Sequence, residues 1–163
     1  MLTQAGFRAL TAAAHPLAEL LACPPQAGDL LSGASQILHF EAAYVVFRQH
    51  EPCKGLYLLA SGSFARSAVR LNTRLALGTA RSGELVELAA ALGDGRHTYT
   101  LTAVSAGSLL MLPMATLSRA FDVHPPLRMH LLEELAREVS RAYTLCFLNR
   151  MGARTRRRQA NSM

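Results

Sequence analysis

The sequence predicts a mainly β domain, a small barrel or sandwich, with helices at both ends. Three observations carry this. Short apolar runs bounded by turn residues recur from about Gln36 to Pro113. Alanine- and leucine-rich segments flank that region. Beyond Pro125-Pro126, apolar residues return at spacings of three and four. Evenly spaced short strands with turn signals suit a barrel or sandwich better than alternating strand–helix units. A length of 163 residues suits one domain, or one domain with a tail.

The elements follow in order. Leu2 to Leu21 reads as helix, rich in the strongest helix formers and divided at Pro16, because proline disfavours helix in the residue before it. Pro24-Pro25 ends it, and a short helix spans Ala27 to Gly33. Strands are expected over Ala43–Phe47, Gly55–Leu59, Ser63–Val69, Leu75–Leu77, Tyr99–Val104 and Ser108–Leu112. Between them Glu84 to Leu92 reads as helix, with three successive alanines and Gly93 as its cap. Met114 to Phe121 reads as a short helix. Pro125-Pro126 then opens a long one, since proline is at home in a first helical turn. At 1.5 Å per residue, Leu127 to Met151 would measure about 38 Å, more than a small barrel can cover. Its seam is Leu131, Leu135, Val139, Ala142 and Cys146. Gly152 ends it, and a basic tail that reads as disordered follows. The expected divisions are a helical segment 1–35, a β-roll 36–124, a long helix 125–151 and a tail 152–163.

Composition narrows function by exclusion. Half the residues are hydrophobic and 17% are charged. No apolar run approaches the roughly 18 residues of a spanning helix, and the N-terminus has no signal-peptide pattern. The formal charge is +6, and Lys54 is the only lysine. Removing Arg154, Arg156, Arg157 and Arg158 from that +6 leaves +2, so overall charge argues little for nucleic acid. The three cysteines, Cys23, Cys53 and Cys146, have no CxxC spacing. They suit reduced thiols in a cytoplasmic protein. Cys53, beside Lys54, reads as a solvent-facing turn cysteine. The six histidines form no HxH or HExxH arrangement, so no metal site is expected. No nucleophile elbow or Walker loop is present, so no catalytic residue is assigned.

Three stretches resemble the cyclic-nucleotide-binding domain of Crp/Fnr regulators. "FRQHEPCKGLYLLASGSF" (Phe47 to Phe64) is similar to that family's strand–turn–strand motif, with Gly62 at its obligatory glycine. "SGELVELAAALGDGRHTYTLTAVSAGSLLMLP" (Ser82 to Pro113) is similar to the phosphate-binding cassette and the strands after it. "FDVHPPLRMHLLEELAREVSRAYTLCFL" (Phe121 to Leu148) is similar to the end of the barrel and the dimerisation helix. The resemblance implies a cyclic-nucleotide-binding-domain-like β-roll, a double-stranded β-helix or jelly-roll, followed by a long dimerisation helix. It implies a non-enzymatic regulatory domain that senses a small effector, with cAMP and cGMP as candidate ligands, and a homodimer paired through that helix. The family continues into a winged helix-turn-helix. Only a dozen residues follow Met151, so no DNA-reading domain is expected in this chain, and no membrane partner.

The cassette departs from the family pattern. In nucleotide-binding members a glycine precedes a glutamate that takes the ribose hydroxyl, and a later arginine takes the cyclic phosphate with its planar charged fork. Aligned without gaps, the glycine position holds Glu87, the glutamate position Leu88 and the arginine position His97. Slipped by one residue, Glu87 and Arg96 restore the pair and Val86 replaces the glycine. The gapless alignment is preferred, because valine resists the backbone geometry that glycine supplies. It resembles a Crp/Fnr subgroup with a "GLSA"-like cassette and a "PCKG"-like turn, here Pro52 to Gly55. The candidate ligand residues under both alignments are Gly83, Glu84, Glu87, Leu88, Arg96, His97 and Thr98. A ligand-free dimerisation module acting through a partner protein is the alternative.

Overall fold

A computed structural model of the chain describes residues 14–160. Two helices come first, α1 (Ala14–Leu20) and α2 (Pro25–Ala34). The part of the expected first helix that precedes Ala14 lies outside the described residues. Eight strands follow: β1 (Gln36–Phe40), β2 (Val45–Phe47), β3 (Gly55–Ser61), β4 (Ser63–Arg70), β5 (Thr73–Arg81), β6 (Leu85–Val86), β7 (Thr100–Ala103) and β8 (Gly107–Pro113). Helix α3 (Leu88–Leu92) lies between β6 and β7. Helices α4 (Met114–Val123) and α5 (Pro125–Ala160) close the order.

The strands form two antiparallel four-stranded sheets, ordered β1-β8-β3-β6 and β2-β7-β4-β5. Strand β3 explains how the core is divided. It reads GLYLLAS, a continuous apolar run, and continuous runs suit strands buried on both faces. Tyr57 and Leu59 point between the sheets, where Phe64 and Leu101 meet them. Leu56, Leu58 and Ala60 point the other way, onto a layer formed by α1, α2, α4 and the start of α5. The β4–β5 hairpin turns at Leu71-Asn72, both at positive φ, which is the backbone of a two-residue turn matched to strand twist. Gly62 joins β3 to β4 at φ +82°; a Cβ there would stand 2.8 Å from the Ala106 carbonyl oxygen. The position therefore demands glycine twice over.

Three expectations are corrected. The helix expected over Glu84–Leu92 begins only at Leu88, because Leu85 and Val86 pair with Leu58 and Tyr57 as β6. Tertiary strand pairing there overrides local propensity. Strand β1, singled out by no apolar run in the sequence, pairs along β8 from Gln36 to Phe40. Helix α5 continues through Gly152 to Ala160, where an end and a disordered tail were expected. One glycine costs only about 1 kcal/mol against alanine in a helix, and the arginines, glutamine and alanines around it are good helix formers. Among the described residues no helix is long and apolar enough to cross a membrane.

The long-helix seam divides between two roles. Leu131 is fully buried in the chain's own helix-facing core, and Leu135 packs against that core. Val139 is 59% exposed and Ala142 is exposed, while Cys146 lies outside the residues whose side chains are described. Among the described residues, the large apolar side chains of α5 that face outward are Met129, Val139 and Tyr143. With half-buried Leu132 and exposed Ala136 they form a stripe spaced three, four, three and four.

Candidate functional site

The cassette lies between β6 and β7, and its geometry starts from an alternation. From His97 the odd-numbered residues His97, Tyr99, Leu101 and Ala103 are buried. Arg96 and Thr98 are exposed, and Thr100 and Thr102 half-buried. A strand sends successive side chains to opposite faces. His97 therefore enters the barrel and Arg96 leaves it. The backbone fixes this phase. His97 N–H donates to the Glu51 carbonyl at 2.9 Å, and His50 N–H donates to the His97 carbonyl at 2.8 Å.

Glu87 meets His97 inside. Its carboxylate is wholly buried, and His97 Nδ1 donates to Oε2 at 2.9 Å. Thr98 holds the same carboxylate, with its hydroxyl on Oε1 at 3.2 Å and its backbone N–H on Oε2 at 3.4 Å. Glu87 itself sits at φ +70°, ψ 27°, the left-handed region that favours glycine. A non-glycine residue there is strained by about 1–2 kcal/mol. Its backbone N–H donates to the Tyr99 hydroxyl at 3.3 Å.

The His97 ring lies flat on Phe47, with centroids 3.8 Å apart and planes 4° apart. Cys53, in the β2–β3 loop, is buried as well, and its thiol donates to the Gly55 carbonyl at 3.1 Å. The expected solvent-facing cysteine is thus an interior one, because the loop folds inward at Cys53 N–H···O=C Gly95, 2.7 Å. Ligand atoms of Cys53, Glu87 and His97 all lie within 4.8 Å of one another. Burial disfavours the charged ring of His97, but hydrogen bonds and charge from Cys53 and Glu87 overcome it and push its pKa up to about 9. Burial, with the charges of Cys53 and Glu87, pushes Tyr57 up to about 12.

The other candidates separate from this cluster. Arg96 Nη1 donates to the His50 carbonyl at 3.0 Å on the outside of the barrel. The structure does not bring Glu87 and Arg96 together. Leu88 is buried in the helix-facing core, away from the cluster. Gly83 makes the turn before β6 at φ +90°, and its N–H donates to the Leu59 carbonyl at 2.8 Å. Glu84 pairs with Arg66 at 3.0 Å. Arg66, from β4, lies over the Tyr99 ring at 5.8 Å, and its Nε has no hydrogen-bond partner among the described residues. Glu138, from α5, is raised by burial; Arg66 works against that shift and Glu84 and Glu87 add to it.

Sequence reasoning missed Arg66, Phe47 and the interior role of Cys53. A signal existed for His97. The alternation R-H-T-Y-T-L-T-A from Arg96 to Ala103 already puts histidine, tyrosine and leucine on one face.

A family model described as Cyclic nucleotide-binding domain matches residues 37–124, just over half of the chain. A comparison with curated proteins finds no match. Among solved structures, the sensor domain of the transcriptional regulator DNR from Pseudomonas aeruginosa superposes with a TM-score of 0.65 at 22% identity, over 81% of this chain and 91% of that one. The Catabolite Activator Protein of Thermus thermophilus gives 0.66 at 25% identity, over 77% of this chain and 59% of that one. The regulatory domain of Toxoplasma gondii PKA, solved with cAMP, gives 0.67 at 13% identity, over 81% of this chain and 50% of that one. The two-sheet barrel with its closing helix and the match across β1 to α4 agree: the chain belongs to the cyclic nucleotide-binding domain family, with sensor domains of bacterial Crp/Fnr-type regulators among its structural neighbours.

Proposed function

We propose that this chain is a non-enzymatic, cytoplasmic effector-sensing module of Crp/Fnr type that pairs with a second copy through α5. We further propose that its cassette does not hold cAMP or cGMP in the family's manner. The observation that carries this is the buried Glu87–His97 pair. Where the family resemblance calls for an arginine fork on a cyclic phosphate, the barrel interior presents an acidic side chain already bonded to histidine and threonine. A phosphate would meet the Glu87 carboxylate at close range, and like charges in a buried site repel strongly. The positive φ of Glu87 supports the gapless alignment, since that alignment puts Glu87 at the glycine position.

One observation supports the pairing. The stripe Met129, Leu132, Ala136, Val139, Tyr143 has coiled-coil spacing, and among the described residues its exposed part has no partner. The alternative, a ligand-free dimerisation module, is supported by the filled space between the sheets, where Leu59, Phe64, Leu101 and Leu109 are fully buried.

Calorimetric titration with cAMP and cGMP tests the cassette reading. The expected result is no binding at micromolar nucleotide by the wild-type chain. Micromolar binding that disappears in Arg96→Ala would overturn it and restore the slipped alignment. Sedimentation tests the pairing: the chain should sediment as a dimer, and Val139→Glu as a monomer.

A further inference from the structure

We propose that Cys53, Glu87 and His97 form a binding site for a thiophilic divalent metal ion of the zinc class. The inference rests on the effector-sensing reading above and names the chemical class of the effector. Its basis is geometric. The three ligand atoms lie within 4.8 Å of one another, and all three residues are buried. In a tetrahedral zinc site, metal–ligand distances of about 2.0–2.3 Å set ligand atoms roughly 3.5 Å apart. The His97 Nδ1 to Glu87 Oε2 distance of 2.9 Å is already within that span. Closing the site around an ion brings Cys53 Sγ, which lies within 4.8 Å of the other two ligand atoms, to that span.

The ligands come with supports. Phe47 stacked on His97 fixes the plane of the ring. The Thr98 hydroxyl holds Glu87 Oε1, while Oε2 accepts from the histidine and the Thr98 backbone N–H. Outer partners of this kind orient metal ligands and tune their affinity. The ion pair alone accounts for burying Glu87 and His97. It does not account for a thiol within 4.8 Å of both.

The donor set also selects the metal. One thiolate, one imidazole and one carboxylate favour zinc, cobalt or ferrous iron over magnesium or calcium, which take oxygen ligands. A dication balanced by one thiolate and one carboxylate is neutral overall, as a buried cluster must be. The Cys53 thiol proton and the proton between His97 and Glu87 leave to solvent as the ion enters, so charge balances. Three protein ligands leave a fourth position for water or a small anion. The spacing rules overlooked this site because its ligands come from the β2–β3 loop, the turn before α3 and the approach to β7.

The test is a titration of the chelator-treated, reduced full chain with Co2+, followed by displacement with Zn2+. One equivalent should bind and give a thiolate-to-cobalt charge-transfer band in the near ultraviolet, with the d–d intensity of a tetrahedral site. Cys53→Ser should abolish the charge-transfer band, and Cys23→Ser should keep it. Thr98→Val should weaken zinc binding about 10-fold. A wild-type chain without the band, or a band that survives Cys53→Ser, overturns the metal site. The wild-type titration decides even if a variant folds poorly. A dimer that ignores cyclic nucleotides and also lacks the band contradicts the metal site alone. Micromolar cyclic-nucleotide binding contradicts the reading beneath it.

Discussion

The two sides of strand β3 are both buried, yet they are built from different chemistry. On the side toward the helices the buried residues are leucine and alanine alone, from Leu17 in α1 to Leu131 in α5, with Cys23, Met114 and Phe121 only at its half-buried margin. The side toward the second sheet mixes aromatic rings, sulfur and aliphatics: Phe47, Tyr57, Phe64 and Tyr99 with Cys53 and Met111. Glu87 and His97 are buried there too. Hydrophobic burial needs nothing beyond shape and volume. Buried polar groups are costly unless each finds a partner. The helix-facing side therefore reads as a fastening, and the inter-sheet side as the place where the protein retains chemistry at the expense of stability.

Variants on the two sides should separate these roles. The largest effect is expected from Glu87→Ala. It strips His97 of its carboxylate and leaves a ring that is buried and uncompensated, a change of about 3–5 kcal/mol in chemical denaturation. On the helix-facing side, Leu58→Ala removes a fully buried side chain and should cost about 2–5 kcal/mol, with the cobalt spectrum unchanged. A pH series sharpens the contrast. His97 rises from an ordinary 6.5 to about 9 in the folded, metal-free protein. Cys53 and Glu87 face the ring beside Phe47 and Tyr57. A raised histidine stabilises the fold fully below about pH 6.5, and that contribution is lost as pH rises through about 9. Stability of metal-free protein should fall across that window, and the fall should flatten in Glu87→Gln. The smallest effect belongs to Arg96→Ala: the guanidinium is exposed on the His50 carbonyl, so the change should stay within about 0.5 kcal/mol.

Much of the fold was legible because it rests on local signals. Six of the eight strands coincide with apolar runs between turn residues, and Gly62 sits where the strand–turn–strand motif requires it. The two-residue strand β6 was not legible. Only its pairing with Tyr57 and Leu58 makes it a strand, and its own residues sit in an alanine-rich, helix-favouring stretch. The long helix shows a related limit. Its periodicity was visible, but periodicity does not say which partner a face meets. Leu131 meets the chain's own core, while the outward stripe runs through Met129, Val139 and Tyr143. The site was the least legible part. Glu87 and His97 were both singled out, yet their partnership depended on strand phase, and Cys53 joins them only through a loop that folds inward at Gly95.

The central claim is that the cassette interior is closed by a partnership between Glu87 and His97. A double-mutant cycle on the metal-free chain measures it, with Glu87→Ala, His97→Ala and the double variant compared by chemical denaturation. The account predicts a coupling of at least about 1 kcal/mol, so the double variant is less destabilised than the sum of the two single ones. Two changes that add to within about 0.5 kcal/mol would contradict it.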